Sequence, residues 1–162
     1  MAALTVTQRR DLSGYLITGP GSAAALDADG LPRPREQLAA AEQDGALVAR
    51  TGADEYLLFL PGDRQPPADC WCFSRADRVL AVRGDDWREL LARVCQYDFR
   101  HFGPGDWLMA SLAGVNAWLY RTQEDGTLLV GVSDGFHRYL EDLFSDLVCE
   151  LDDSATYEGG AS

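Results

Sequence analysis

The chain has 162 residues, 46% of them hydrophobic, which suits one compact domain or two small lobes on a shared core, large enough to fold without disulfide or metal staples. Its net charge is −12, and residues 134–162 hold eight acidic side chains against one arginine, a surface that repels phosphate backbones and anionic membranes and argues against nucleic-acid partners. All 14 basic residues are arginine, which excludes a Schiff-base lysine, a lysine general base and a phosphate-loop lysine.

No apolar run approaches the roughly 20 residues that a membrane-spanning helix requires. Residues 1–10 contain no apolar segment of signal-peptide type, and the 4 cysteines are therefore read as reduced thiols in a cytoplasmic protein.

In chain order, the first expected strand covers residues 13–18 and ends at Gly19-Pro-Gly21, a strong breaker. Residues 20–35, rich in Ala, Gly, Asp and Pro without periodicity, read as a surface loop, and a short helix is expected over residues 35–42. Residues 46–51 and 55–60 form a hairpin around Gly52-Ala53-Asp54, its second strand so continuously apolar that it belongs in the centre of a sheet. Pro61 stops it, and residues 61–69 form a connector. A strand over residues 78–83 leads into a helix over 85–94, with Trp87, Leu90, Leu91 and Val94 at i, i+3, i+4 and i+7. Strands follow at 107–112 and 115–121, and a third after Asp125-Gly126. The last helix starts at Asp134 and is expected to bury Phe136, Tyr139, Leu140, Leu143, Phe144 and Leu147.

This order argues for an α+β fold: a ferredoxin-like core with a mostly antiparallel sheet and helices on one face. Residues 1–69 would complete that sheet with N-terminal strands and a loop, residues 70–151 would form the core, and residues 152–162 a flexible acidic tail.

No pattern of nucleophile and base stands out, so no catalytic residue is assigned. Cys70 and Cys72, one residue apart, would place both sulfurs on one strand face and are the weak candidates for a metal, though such a spacing is uncommon in structural zinc sites. His101 and His137 read as surface or capping residues, and Ser133 as a helix cap. Gly19-Pro-Gly21 and Gly103-Pro-Gly105 match no phosphate-loop pattern and read as turns. The aromatics Tyr56, Phe59, Trp71, Phe73, Trp87, Trp107, Trp118 and Tyr120 suit sheet core or a subunit interface better than a flat-ring pocket. Trp107, Trp118 and Tyr120 are the interface candidates.

Several of these stretches together carry a family resemblance. They are Arg78-Val-Leu-Ala-Val-Arg-Gly84, Glu89-Leu-Leu-Ala-Arg-Val-Cys95, Tyr97-Asp-Phe99, Phe102-Gly-Pro-Gly105, Leu112-Ala-Gly114, Trp118-Leu-Tyr-Arg121 and Gly135-Phe-His-Arg-Tyr-Leu140, with Asp54-Glu-Tyr-Leu-Leu58 upstream. The pattern resembles the folate-binding region of glycine-cleavage T-protein and its relatives, and most closely the gamma subunit of heterotetrameric sarcosine oxidase. The resemblance implies a T-protein-like fold and a small structural subunit in a complex that oxidatively demethylates N-methylated amines. The one-carbon unit would leave as formaldehyde or on tetrahydrofolate through partner subunits. It also implies that flavin, NAD and tetrahydrofolate reside in larger redox and folate-binding subunits, with no cofactor in this chain. Folate-using relatives carry an acidic pair where this chain has Val115-Asn116, and an amide cannot act as a general base. Asn116, Trp118 and Tyr120 remain the weak folate-face candidates. The alternatives are the small subunit of a dimethylamine- or N-methylglutamate-oxidising complex, or a stand-alone tetrahydrofolate-binding protein.

Overall fold

Two-residue turns with positive φ organise the strands. Asp44 and Gly45 (φ 51° and 79°) and Ala113 and Gly114 (φ 48° and 85°) adopt the left-handed turn conformation that matches the natural twist of paired strands. The first turn closes β3 (Ala40–Gln43) on β4 (Ala46–Gly52), and the second closes β8 (Trp107–Leu112) on β9 (Val115–Arg121). The computed structural model describes the backbone of residues 2–158 and side-chain surroundings through residue 153.

The other strands are β1 (Thr5–Arg9), β2 (Leu12–Thr18), β5 (Glu55–Pro61), β6 (Trp71–Arg75), β7 (Asp77–Arg83) and β10 (Leu128–Ser133). They form two five-stranded sheets, ordered β1-β7-β10-β9-β8 and β3-β4-β5-β2-β6, with every neighbouring pair antiparallel. Three helices, α1 (Ser22–Ala28), α2 (Trp87–Ala92) and α3 (His137–Glu158), complete the fold.

Strand alternation sorts the apolar residues into three layers. Leu80, Val82, Leu119 and Val130 project from one face of the first sheet onto α2 and α3, where they meet Leu90, Leu140 and Phe144. Val79, Ala81, Trp118, Tyr120 and Leu129 project from the opposite face onto Leu47, Ala49, Leu57 and Phe59 of the second sheet. The outer face of the second sheet, with Ile17, Val48, Tyr56 and Leu58, is covered by Leu26 of α1 and by Leu31. The result is helix, sheet, sheet, helix.

The α+β class, the antiparallel pairing and the helices on one face of the first sheet agree with expectation. The strands β7 and β8 that flank α2 run in opposite directions at the two ends of the β7-β10-β9-β8 set, a strand order distinct from a simple ferredoxin-like one. The N-terminal segment corrects another expectation. Only β1 joins the first sheet, while β2 to β5, together with β6 from beyond residue 69, build a sheet of their own.

Four local expectations are also corrected. The expected loop over 20–35 contains α1, closed by Gly30 (φ 66°) with Leu31 N–H donating to Leu26 O at 3.0 Å and Gly30 N–H to Asp27 O at 3.2 Å. Residues 35–42 form no helix. The turn at Asp44 and Gly45 pairs β3 with β4, and the Arg50 side chain donates to Arg35 O, Gly52 O and Ala53 O, pinning the preceding segment in extended form. In the last helix Leu140 and Phe144 are buried, but Phe136 and Tyr139 are exposed. Phe136 lies in the 3-10 turn before α3, and Tyr139 falls off the buried stripe, its hydroxyl donating to Ala113 O at 3.1 Å. The expected tail from residue 152 is helical through Glu158, and its last four residues lie outside the described part.

Candidate functional site

A concavity opens between the two sheets at one shared end of β7, β8, β9 and β10. It has a volume of about 480 Å³ and is lined by Leu57 and Arg75 from the second sheet and by Asp77, Met109, Asn116 and Trp118 from the first. In-register pairing explains the set. Met109 and Gly131 both stand opposite Trp118, so all three share the face turned toward the other sheet, and Asn116 lies two residues further along that face.

Gly131 makes the floor possible. The Trp118 indole lies directly across it, so that a Cβ on Gly131 would sit 1.7 Å from the ring. Crossing β10 through this gap, the indole Nε1 donates to Asp77 Oδ2 on β7 at 3.2 Å. Arg75 completes a two-pronged pair with the same carboxylate at 3.0 and 3.2 Å, and the Asp77 side chain is only 5% exposed. On its other sides the indole meets Phe59, 4.3 Å between centroids, and stacks on Trp107 at 5.1 Å with 16° between planes. Asp77 thus fastens β6 to β7 and orients Trp118; its oxygens are engaged.

The sequence-derived candidates fall differently from expectation. Trp107, Trp118 and Tyr120, the interface candidates, are 8%, 3% and 0% exposed: they fill the space between this chain's own sheets and cannot anchor a partner. The same burial removes Trp118 and Tyr120 as an open stacking face, while Asn116 is exposed in the cleft opposite Ser111. Burial pushes the Tyr120 phenol well above its ordinary pKa, and the charge of Glu42 adds to the effect. The residues lining the cleft present no open aromatic face, and the one carboxylate among them is bound by Arg75 and Trp118. Among the described aromatics, exposure belongs instead to Trp71, Phe73, Tyr97, Phe136 and Tyr139. Phe73 lies on the same face of the second sheet as Leu57, two strands away through Leu16.

Cys70 and Cys72 pack against the outer core under α1, and burial pushes both thiols up, which keeps them protonated and weakens them as metal ligands. Among the described residues no group of three or more His, Cys, Asp or Glu side chains has the geometry to hold a metal ion. His137 Nδ1 lies 2.7 Å from Asp134 O, a capping position, and Asp134 pairs with Arg78 at 2.5 Å. Ser133 makes no side-chain cap, contrary to expectation. A second, polar groove of about 510 Å³ runs between the β3–β4 and β9–β10 turns. It is closed from below by Gln123 N–H donating to Glu42, and Asp125, held to a pKa of about 2 by the Thr122 hydroxyl and the Thr127 N–H, belongs to the second turn rather than to a reaction centre.

Asp77 and Gly131 were not foreseen. Asp77 is the residue just before the expected 78–83 strand, and an acid one arginine ahead of the apolar run Val79-Leu-Ala-Val82 was the available signal. Gly131, inside Leu128-Leu-Val-Gly-Val132, is an isolated glycine in a strand pattern, which marks a close approach.

Two antiparallel sheets packed face to face, with helices on the outside, define the class: a T-protein-like α+β module. Comparison with solved structures finds similar folds. A chain of the heterotetrameric sarcosine oxidase from Corynebacterium sp. U-96, solved with pyrrole 2-carboxylate, is similar over 91% of this chain and 84% of that one, with 20% identity and a TM-score of 0.76. The glycine cleavage system aminomethyltransferase T from Bartonella henselae is similar over 89% of this chain, with 12% identity and a TM-score of 0.62, and this chain spans 46% of its length. No family model and no curated protein sequence matches the chain. These likenesses show the fold, as the sequence resemblance implied. Among the described residues no helix is long and apolar enough to cross a membrane.

Proposed function

We propose that this chain is a small docking subunit, without a reaction centre of its own, in a multi-subunit oxidative N-demethylase of the sarcosine oxidase type. The observation that carries the reading is the two-way fit to the sarcosine oxidase chain, 91% of one and 84% of the other, against less than half of the aminomethyltransferase. Within the cleft, the only strongly buried carboxylate is consumed by Arg75 and Trp118, and an amide, Asn116, takes the place of an acid. Both features suit a scaffold. Flavin, NAD and tetrahydrofolate then belong to larger partner subunits, which oxidise an N-methylated amine and take away its one-carbon unit as formaldehyde or on tetrahydrofolate. A related dimethylamine- or N-methylglutamate-oxidising complex has the same requirement for such a subunit, and the identity of the amine distinguishes the two.

A stand-alone folate protein is the second reading, favoured by the likeness of the frame to the glycine cleavage aminomethyltransferase. Calorimetric titration of tetrahydrofolate into the isolated chain separates them. The docking reading expects no binding heat and no turnover of sarcosine or dimethylamine by the chain alone. Stoichiometric binding with micromolar affinity would move the function into this polypeptide.

A further inference from the structure

Four strands lie at the outer edges of the two sheets: β1, β8, β3 and β6. Three carry the features that discourage further pairing. β1 ends in Arg9, β3 has four residues including Glu42, and β6 ends in Arg75. β8 has none of them. Its six residues, Trp-Leu-Met-Ala-Ser-Leu, hold no charge and no proline, and its register with β9 runs without a bulge from Trp107 to Leu112. An uncharged edge without a bulge is a template for strand addition.

The outward-facing backbone groups can be assigned. A two-residue turn at Ala113 and Gly114 makes Leu112 and Val115 a hydrogen-bonded pair, and the alternation continues to Asp106, whose carbonyl accepts from Arg121 N–H at 3.1 Å. Met109 and Ser111, in the opposite phase, direct their N–H and C=O away from β9, and both are exposed. Depressions flank the strand on both sides. The 480 Å³ cleft takes side chains on the inter-sheet face, beside Met109. A groove of about 590 Å³ takes those on the helix face, between Ala110 and the segment of Val94 and Tyr97. An added strand would send alternate side chains into the two.

Charge selects the occupant. α3 begins at the same turn, where Tyr139 donates to Ala113 O at 3.1 Å, and it carries Glu141, Asp142 and Asp146 onward. Two copies of a chain bearing −12 repel one another, whereas a basic partner is attracted.

We propose that β8 is the docking edge for an extended segment of a larger partner polypeptide. That segment is apolar at alternating positions and basic where it passes the turn at Ala113 and Gly114 toward α3. This deepens the docking reading and rests on it for the existence of a partner.

The test uses the full tagged chain, purified with its partner from the source cells, and compares it with the chain alone by hydrogen exchange. The Met109 and Ser111 amides are expected to slow at least about 100-fold on assembly, as edge groups do when they gain a strand partner. Ser111→Pro removes an outward donor without touching the β8–β9 ladder, and Met109→Glu places a charge at the cleft mouth while leaving the backbone free. Each is expected to weaken retention of the partner by about 30-fold or more, as loss of a central contact does, with an unchanged melting curve for the chain alone. Full retention by both variants, with the two amides unprotected in the assembly, overturns the β8 assignment and leaves the docking reading intact. A β8-linked homodimer in sedimentation overturns the partner occupant, and recovery of the chain alone removes both proposals.

Discussion

Gly131→Ala is expected to lower stability by about 3 kcal/mol or more, at the upper end of what overpacking a core costs. The Cβ would be 1.7 Å from the Trp118 ring, and that ring has nowhere to go, held by Phe59, Trp107 and the bond from its Nε1 to Asp77. Relief requires the indole to leave the gap over β10, which opens the contact between the sheets and costs the buried Asp77 one of its three bonds, leaving only the pair with Arg75. Urea denaturation followed by tryptophan fluorescence measures the cost. The cause is isolated in a Trp118→Ala background, where the added methyl has no ring to meet and its effect should fall below about 1 kcal/mol, the rest appearing as coupling energy. An equal loss in both backgrounds would place the strain elsewhere.

Phe144→Ala is expected to cost about 3–5 kcal/mol, the range for removing a large buried aromatic. Phe144 is fully buried where α3 crosses the first sheet, against the layer formed by Leu80, Val82 and Val130. Its neighbours on the helix, Leu143, Leu147 and Val148, are only half-buried, so little else holds this part of α3 down. The Arg93–Glu150 pair at 3.0 Å is exposed and adds little, so the apolar stripe supplies most of the attraction. Because a domain of this size is stable by only about 5–15 kcal/mol, the variant should show an early loss of helical circular dichroism in denaturant. Tyr139→Phe, which deletes one exposed hydroxyl bond to Ala113 O, should cost less than about 1 kcal/mol, and comparable losses for the two variants would mean that the helix is held by its first turn instead.

Much of the first sheet was legible because its signals are local. The spans of β8 and β9 follow from apolar alternation around Ala113 and Gly114, and β10 from Asp125-Gly126. The same rule was available in Asp44-Gly45, where the alanines of residues 39–41 suggested a helix instead; a two-residue turn outweighed weak helix propensity once β4 offered a ladder. α1 was hidden because seven residues, mostly alanine, bury one narrow side and leave no period to read. The division into two sheets could not be read locally, because the alternation that marks a strand is the same whichever sheet takes it. The site suffered most. Aromatics alternate along a strand whether they face solvent or a second sheet, and without that second sheet Trp107, Trp118 and Tyr120 looked like a surface. The functional hint at Asn116, an amide where the resemblance implies an acid in folate-using relatives, came from chemistry rather than geometry, and the structure places that residue in the cleft.

The most direct measurement of the docking claim is the native mass of the tagged chain recovered under mild conditions from its source cells. The account predicts a single assembly of fixed stoichiometry, with one or more larger chains and flavin absorbance that stays with those chains when this one is stripped away. A lone chain of 17.7 kDa that oxidises an N-methylated amine or retains tetrahydrofolate by itself would contradict it.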